Sequence, residues 1–256
     1  MDENCRIVAL GGLGEVGKNM TVYECRGEIV VVDAGLAFPR DEHLGVDLVL
    51  PDFSYLRDRA ESIRAVILTH GHEDHVGSLP YLMREVEIPE VWATRLTLGL
   101  IKSKLDEHGL LRAAELREVH PDDPPRELGP FRIEFVRMAH SIPDAVAIVL
   151  ETPAGRIVHT GDYKLDHTPV DGLKTDVGRL AELGNRGVDL LLGDSTNAER
   201  AGFTRSERVK PGRSAFVESP SRRSTPRFPS SARRPTSVFR PSRSFGRIST
   251  SSGTSM

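Results

Sequence analysis

Within the six residues from His70 to His75, four make up a metal-ligand pattern, H-x-H-x-D-H: His70, His72, Asp74 and His75. Imidazole nitrogen and carboxylate oxygen together suit Zn²⁺. No thiolate stands beside them to close a structural site, so the donor set fits an open metal pair that does chemistry. The segment follows an apolar, β-branched run and precedes a helical pattern, so its side chains can only fan around a compact locus. A polar loop with histidines at chance positions is the plain alternative. Against it stands a local density of histidine far above the chain's nine in 256 residues.

Other candidate ligands sit where strands should end. Apolar runs at 5–10, 20–25, 28–33, 64–69, 90–93, 131–139, 145–151, 156–160 and 188–193 read as strands, several of them hairpins, with Arg26-Gly27 as a tight turn. Five of these runs deliver an acid or an imidazole at the carboxyl end: Asp33, His70, His140, Asp162 and Asp194. That edge is where layered α/β folds place reactive groups on a rigid scaffold. Helical periodicity covers 75–86, 95–107 (with Gly109 placed to cap its end) and 176–183. The expected class is α/β, β-rich with interspersed helices and no internal repeat.

Composition bounds the rest. No apolar run approaches the roughly 18 to 20 residues of a membrane span, and the N-terminus lacks the basic and apolar regions of a secretory signal. Two cysteines, Cys5 and Cys25, are too few for a disulfide framework, which makes a reducing cytoplasm the expected location. The net charge of -3 hides a division. Residues 211–256 hold nine Arg against one Glu, a net of +8, which leaves -11 to residues 1–210. That segment also has thirteen Ser, six Pro and no Leu, too little apolar surface to offset its ordering entropy, and is expected to be disordered.

Gly12, Gly14 and Gly17 form a G-x-G-x-x-G string after the first strand, with Asp33 near the distance of a ribose-binding acid. A dinucleotide site needs a helix to open there. Residues 19–32 instead contain two β-type runs joined at Arg26-Gly27, so that reading fails. His43, His108, His120 and His167 read as solvated surface histidines. His159 alternates with inward residues near Asp162. It either supports the ligands from behind or is a satisfied structural histidine.

Taken together, the His70–His75 motif, Asp33 before it, and His140 and Asp162 after it resemble the metallo-β-lactamase fold. Within that fold the sequence is closest in pattern to the ribonuclease J family of the β-CASP branch. The supporting segments are Ala9-Leu-Gly-Gly-Leu-Gly-Glu-Val-Gly-Lys-Asn-Met20, Gly45-Val-Asp-Leu-Val-Leu-Pro-Asp-Phe-Ser-Tyr55, Ala139-His-Ser-Ile-Pro-Asp-Ala145, His159-Thr-Gly-Asp-Tyr-Lys-Leu-Asp166 and Gly193-Asp-Ser-Thr-Asn-Ala-Glu199. The resemblance implies an αββα sandwich. It implies that His70, His72 and His140 hold one zinc and that Asp74 and His75 hold a second, with Asp162 bridging. Asp74 and Asp162 are then the catalytic carboxylates, Asp33 props the ligand loop from behind, and Asp194 matches the family's first β-CASP motif. The implied reaction is hydrolysis of RNA phosphodiesters, exo- or endonucleolytic, leaving a 5′-phosphate. The implied substrate is single-stranded RNA, and homo-oligomers are possible in the full-length form.

Family members are much longer, with the β-CASP domain inserted into a lactamase domain that then resumes and supplies one more histidine. The expectation here is an incomplete lactamase domain over 1–210, no β-CASP domain, and a tail over 211–256 whose restricted alphabet suits an out-of-frame reading or a truncated gene model. A weaker second metal site and apolar faces left without cover would follow. Two other classes stay open: a small-molecule hydrolase of the same fold acting on a thioester or lactone, and a binding protein whose basic tail contacts nucleic acid. A body of -11 is no nucleic-acid surface, so the RNA reading rests on resemblance and not on charge.

Overall fold

Strand residues alternate between two apolar environments, and this decides the layering. The computed structural model describes residues 4–39 and 43–198. A first sheet comprises β1 (Cys5–Gly11), β2 (Met20–Cys25), β3 (Glu28–Val32), β4 (Ile63–Ile67), β5 (Glu90–Ala93) and β6 (Glu115–Glu118), neighbours in that order. Its first three strands are antiparallel and β3 to β6 run parallel. The crossovers carry α1 (Ser54–Arg57), α2 (Glu73–Val76), α3 (Leu79–Glu85) and α4 (Arg95–Glu107). A second sheet holds β7 (Arg126–Leu128), β8 (Phe131–Arg137), β9 (Val146–Thr152), β10 (Gly155–His159) and β11 (Leu190–Leu192) in the order β11-β10-β9-β8-β7. Its last two strands are parallel and are linked through α5 (Val177–Arg186).

Val22, Val31, Val66 and Val91 face outward and pack with Leu79, Leu82, Leu98 and Ile101 of α3 and α4. On the opposite face, Tyr23, Val30, Val32 and Ile67 meet Phe131, Ile133, Ile148 and Ile157 of the second sheet. Ala147, Val149 and Val158 then close against Leu183 of α5. The result is the expected αββα sandwich. Each fully buried aliphatic side chain contributes about 1.5–3 kcal/mol, so three contiguous apolar layers hold the strand ends in fixed relation.

Local signals behave as their chemistry requires. Arg26 and Gly27 both take positive φ, 51° and 79°, as the two-residue hairpin between β2 and β3 demands. Gly109 (φ 70°) ends α4. The helix expected over 75–86 is two helices: α2 stops at Gly77, and Pro80 occupies the first turn of α3, where its missing N–H costs nothing. Strands β6 and β7 and helix α1 were not anticipated. Glu-Leu-Arg-Glu and Arg-Glu-Leu are short, polar edge segments with no alternation to detect, and α1 is a single turn. Cys5 and Cys25 are too few for a framework but not for one link. They lie opposite each other in the β1–β2 register and are joined as a buried disulfide. Among the described residues no helix is long and apolar enough to cross a membrane. The tail over 211–256 lies outside the described residues.

Candidate metal centre

Asp33 directly follows β3 and adopts a left-handed backbone (φ 63°), a conformation that aspartate tolerates better than most residues. The turn sends its carboxylate beneath the loop after β4. Oδ1 accepts from the Thr69 backbone N–H at 2.7 Å, the Thr69 hydroxyl lies 3.0 and 2.8 Å from the two oxygens, and Oδ2 accepts from His75 Nδ1 at 2.7 Å. Main-chain bonds lace the same segments together: Ala34 N–H to His75 O at 2.7 Å, Gly35 N–H to Asn19 O at 2.8 Å, and Asn19 N–H to Asp74 O at 3.0 Å. The approach is so close that a Cβ on Gly35 would stand 1.6 Å from the Asp74 carbonyl oxygen.

On this platform the expected ligands converge. His72 Nδ1 lies 3.1 Å from His70 Nε2 and 3.2 Å from His140 Nε2. Donors about 2.0–2.1 Å from a tetrahedral ion stand roughly 3.4 Å apart, so three nitrogens at this spacing fit one Zn²⁺. A second group forms around His75 Nε2, with Asp162 Oδ1 at 3.4 Å and Asp74 Oδ2 at 3.7 Å. Asp162 turns its other oxygen to His140 Nε2 at 3.7 Å and so stands between the groups. His70, His72 and His140 form one potential metal-binding cluster and His70, His75 and Asp162 another.

Protonation states divide the ligands: His70 and His140 stay neutral and ready to ligate, whereas His75 carries a proton that a metal ion would have to displace. Burial holds His70 neutral, far below the usual imidazole range, and the other three histidines add to the effect. Its Nδ1 lies 3.0 Å from the Thr69 hydroxyl, so a proton placed there leaves Nε2 free as a donor atom. His140 is also lowered, chiefly by burial. Burial opposes charge on His75 too, but the Asp33 and Asp162 carboxylates raise it to about 10. Burial works against ionisation of Asp162, yet its bond to His75 keeps the carboxyl below the usual range. Asp33 thus stands to His75 as outer carboxylates stand to metal-bound histidines, fixing ring and tautomer.

Asp194, just after β11, lines the adjoining cleft. Its carboxylate accepts from Thr196 N–H at 2.9 Å, and its charge reaches His140. Asn19 and Thr69 carry roles that the sequence did not expose. Asn19 Nδ2 lies 3.0 Å from His75 Nε2 and 3.1 Å from the Asp74 carbonyl oxygen, and its signal was only a place at the end of the glycine-rich loop. His43, His120 and His167 are exposed, as expected. His108 is instead half-buried, with its ring edge 5.3 Å from Tyr81. The glycine-rich loop joins β1 to β2 and opens no helix, which removes the dinucleotide reading. Together with Asp74, His75 and Asp162 it borders an open cleft of about 680 Å³.

The model of the metallo-beta-lactamase superfamily matches residues 13–236. Ribonuclease J of Helicobacter pylori is 49% identical over 202 residues, which cover 79% of this chain and 29% of that protein. Ribonuclease J2 of Bacillus subtilis is 46% identical over 213 residues, covering 82% of this chain and 38% of its own. The chain therefore spans about a third of the length of these relatives. A solved structure of a protein of unknown function from Enterococcus faecalis shares the fold at a TM-score of 0.57 and 17% identity, over 80% of this chain and 52% of that one. A ligand set built on strand ends, the αββα layers and these matches agree: the chain belongs to the metallo-β-lactamase superfamily and, within it, resembles ribonuclease J.

Proposed function

We propose that the centre hydrolyses phosphodiester bonds of single-stranded RNA with two zinc ions, one at His70, His72 and His140 and one at Asp74 and His75, with Asp162 between them. The observation that carries this reading is the placement of Asp162, one oxygen toward His75 and the other toward His140, at the floor of an open cleft. Zinc bound there supplies a water nucleophile near neutral pH and positive charge to offset that of a phosphodiester. The chain's own residues do the rest. Asp33 and Thr69 fix the His75 and His70 rings, and Asn19 anchors the Asp74 loop. Asp194 and the glycine-rich loop frame the cleft that receives the substrate. RNA as substrate is supported by relatives named ribonuclease J at 46–49% identity.

The test is elemental analysis of the purified chain, followed by incubation with 5′-monophosphorylated single-stranded RNA, with His72→Ala as control. Zinc held at His70, His72 and His140, a more weakly held second ion at Asp74, His75 and Asp162, and cleavage that the variant loses are the expected result. Hydrolysis of a thioester or lactone with RNA left intact would refute the reading.

A further inference from the structure

The metal centre leaves one inward-facing histidine unused. His159, the last residue of β10, lies on the inter-sheet face with Ile157, and its Nδ1 is 2.7 Å from the Tyr23 hydroxyl of β2. Tyr23 is only 1% exposed, and among the described residues its hydroxyl has no other hydrogen-bond partner. Were Nδ1 to carry the proton and donate, the buried tyrosine O–H would be left without an acceptor, an arrangement that proteins avoid. Tyr23 therefore donates and Nδ1 accepts. Burial holds the imidazole neutral, so its single proton sits on Nε2.

That Nε2–H has no hydrogen-bond partner among the described residues, and it is not sealed in. His159 lines the 680 Å³ cleft beside Asp162, which follows three residues later. The Tyr23 bond crosses from one sheet to the other, between residues 136 apart in sequence, so the ring is fixed by the packing of the two layers. A preset donor lining an open cleft is available to water or to a ligand's acceptor, and a phosphodiester brings anionic oxygens.

We propose that His159 is a substrate-binding residue whose Nε2–H, oriented by Tyr23, donates to a non-bridging phosphate oxygen in the cleft next to Asp162. This rests on the phosphodiesterase reading above, and its test separates the two.

In the uniformly ¹⁵N-labelled full chain loaded with zinc, long-range ¹H–¹⁵N correlation reports the tautomer directly, His159 being assigned by its disappearance in His159→Gln. The expected state is Nε2–H, with mixed tautomers in Tyr23→Phe and a shift of the Nε2–H resonance on addition of inorganic phosphate. An Nδ1–H tautomer, or a resonance that does not move through the phosphate titration, overturns the proposal without reference to activity. Kinetics with bis(p-nitrophenyl) phosphate add a second measure. His159→Leu should lower kcat/KM on the order of 10²-fold at unchanged zinc content, the scale of one lost transition-state donor. His159→Gln, which restores an N–H at that reach, should recover part of it. Equal losses in both variants, or loss of zinc in both, would count against a donor role. A wild-type chain that hydrolyses no phosphodiester refutes the preceding section's reading, while the tautomer and phosphate shift still decide on His159.

Discussion

Replacing Gly35 by alanine tests whether the metal loop is held by backbone contact. The added Cβ would lie 1.6 Å from Asp74 O and 2.8 Å from Asn19 N. Carbon needs roughly 3.5 Å from such neighbours, so the Asp74 carbonyl and the 33–35 segment must part by about 2 Å. Three main-chain bonds span that seam, from Gly35 to Asn19, from Asn19 to Asp74 and from Ala34 to His75. At about 1 kcal/mol for each bond lost, and up to about 3 where a buried group stays unpaired, the cost is about 3–6 kcal/mol. That is a large share of the roughly 5–15 kcal/mol that holds a domain folded. The displacement also exceeds the ~0.2 Å tolerance of a metal site, and it falls first on Asp74 and His75. Metal content should fall, and the urea midpoint should fall with an unchanged slope. A Gly35→Ala protein that keeps wild-type metal content and stability would refute the seam as what positions Asp74 and His75.

Metal-free protein should lose stability in alkali. His75, raised to about 10 by Asp33 and Asp162 against the effect of burial, stabilises fully below its unfolded value of about 6.5, and that contribution is gone once pH passes 10. Tm in chelator should therefore decline from about pH 7 to pH 10, and Asp33→Asn should flatten the slope; a flat wild-type profile contradicts the assignment. Glu134, buried on the outer side of the second sheet, accepts from Arg132, Arg179 and Arg186. Glu134→Gln leaves three partly exposed guanidinium groups without their shared anion and should cost about 1–2 kcal/mol in urea unfolding, with no change in zinc content. Gly99, inside α4 with open space where a Cβ would stand, gains from alanine: Gly99→Ala should stabilise by about 0.5–1 kcal/mol, and a loss would contradict the helix assignment there.

What the sequence disclosed and what it withheld divide along physical lines. H-x-H-x-D-H is local, and a loop that short cannot scatter its side chains, so His70, His72, Asp74 and His75 were readable without a fold. His140 and Asp162 were readable because apolar strands announce their own ends, and the resemblance then tied them to the loop. Asn19 was not readable, because its role depends on two loops meeting at Gly35, 16 residues farther along the chain. The Cys5–Cys25 link depends on strand register and the Tyr23–His159 bond on how one sheet lies over the other. Polar edge strands such as β6 carry no periodicity because one side has no layer to meet. Pro80 did signal a helix start, but the continuous apolar pattern across Gly77-Ser78 masked it.

Asp33 explains why the site is rigid before any metal arrives. A carboxylate 1% exposed is costly in free energy and is tolerated only because the Thr69 backbone, the Thr69 hydroxyl and His75 all bond to it. Such a cluster adds little net stability compared with an apolar core of the same volume. What it supplies is geometry: one acid at the end of β3 fixes the residue before His70 and the ring of His75, six residues apart along the chain, and so sets both ends of the ligand loop at once. Ligand atoms held at the spacing of an ion, with their outer partners already in place, leave metal binding little conformational entropy to remove. The left-handed turn at Asp33 and the missing side chain at Gly35 follow from the same requirement, since the acid can reach under the loop only if the backbones touch.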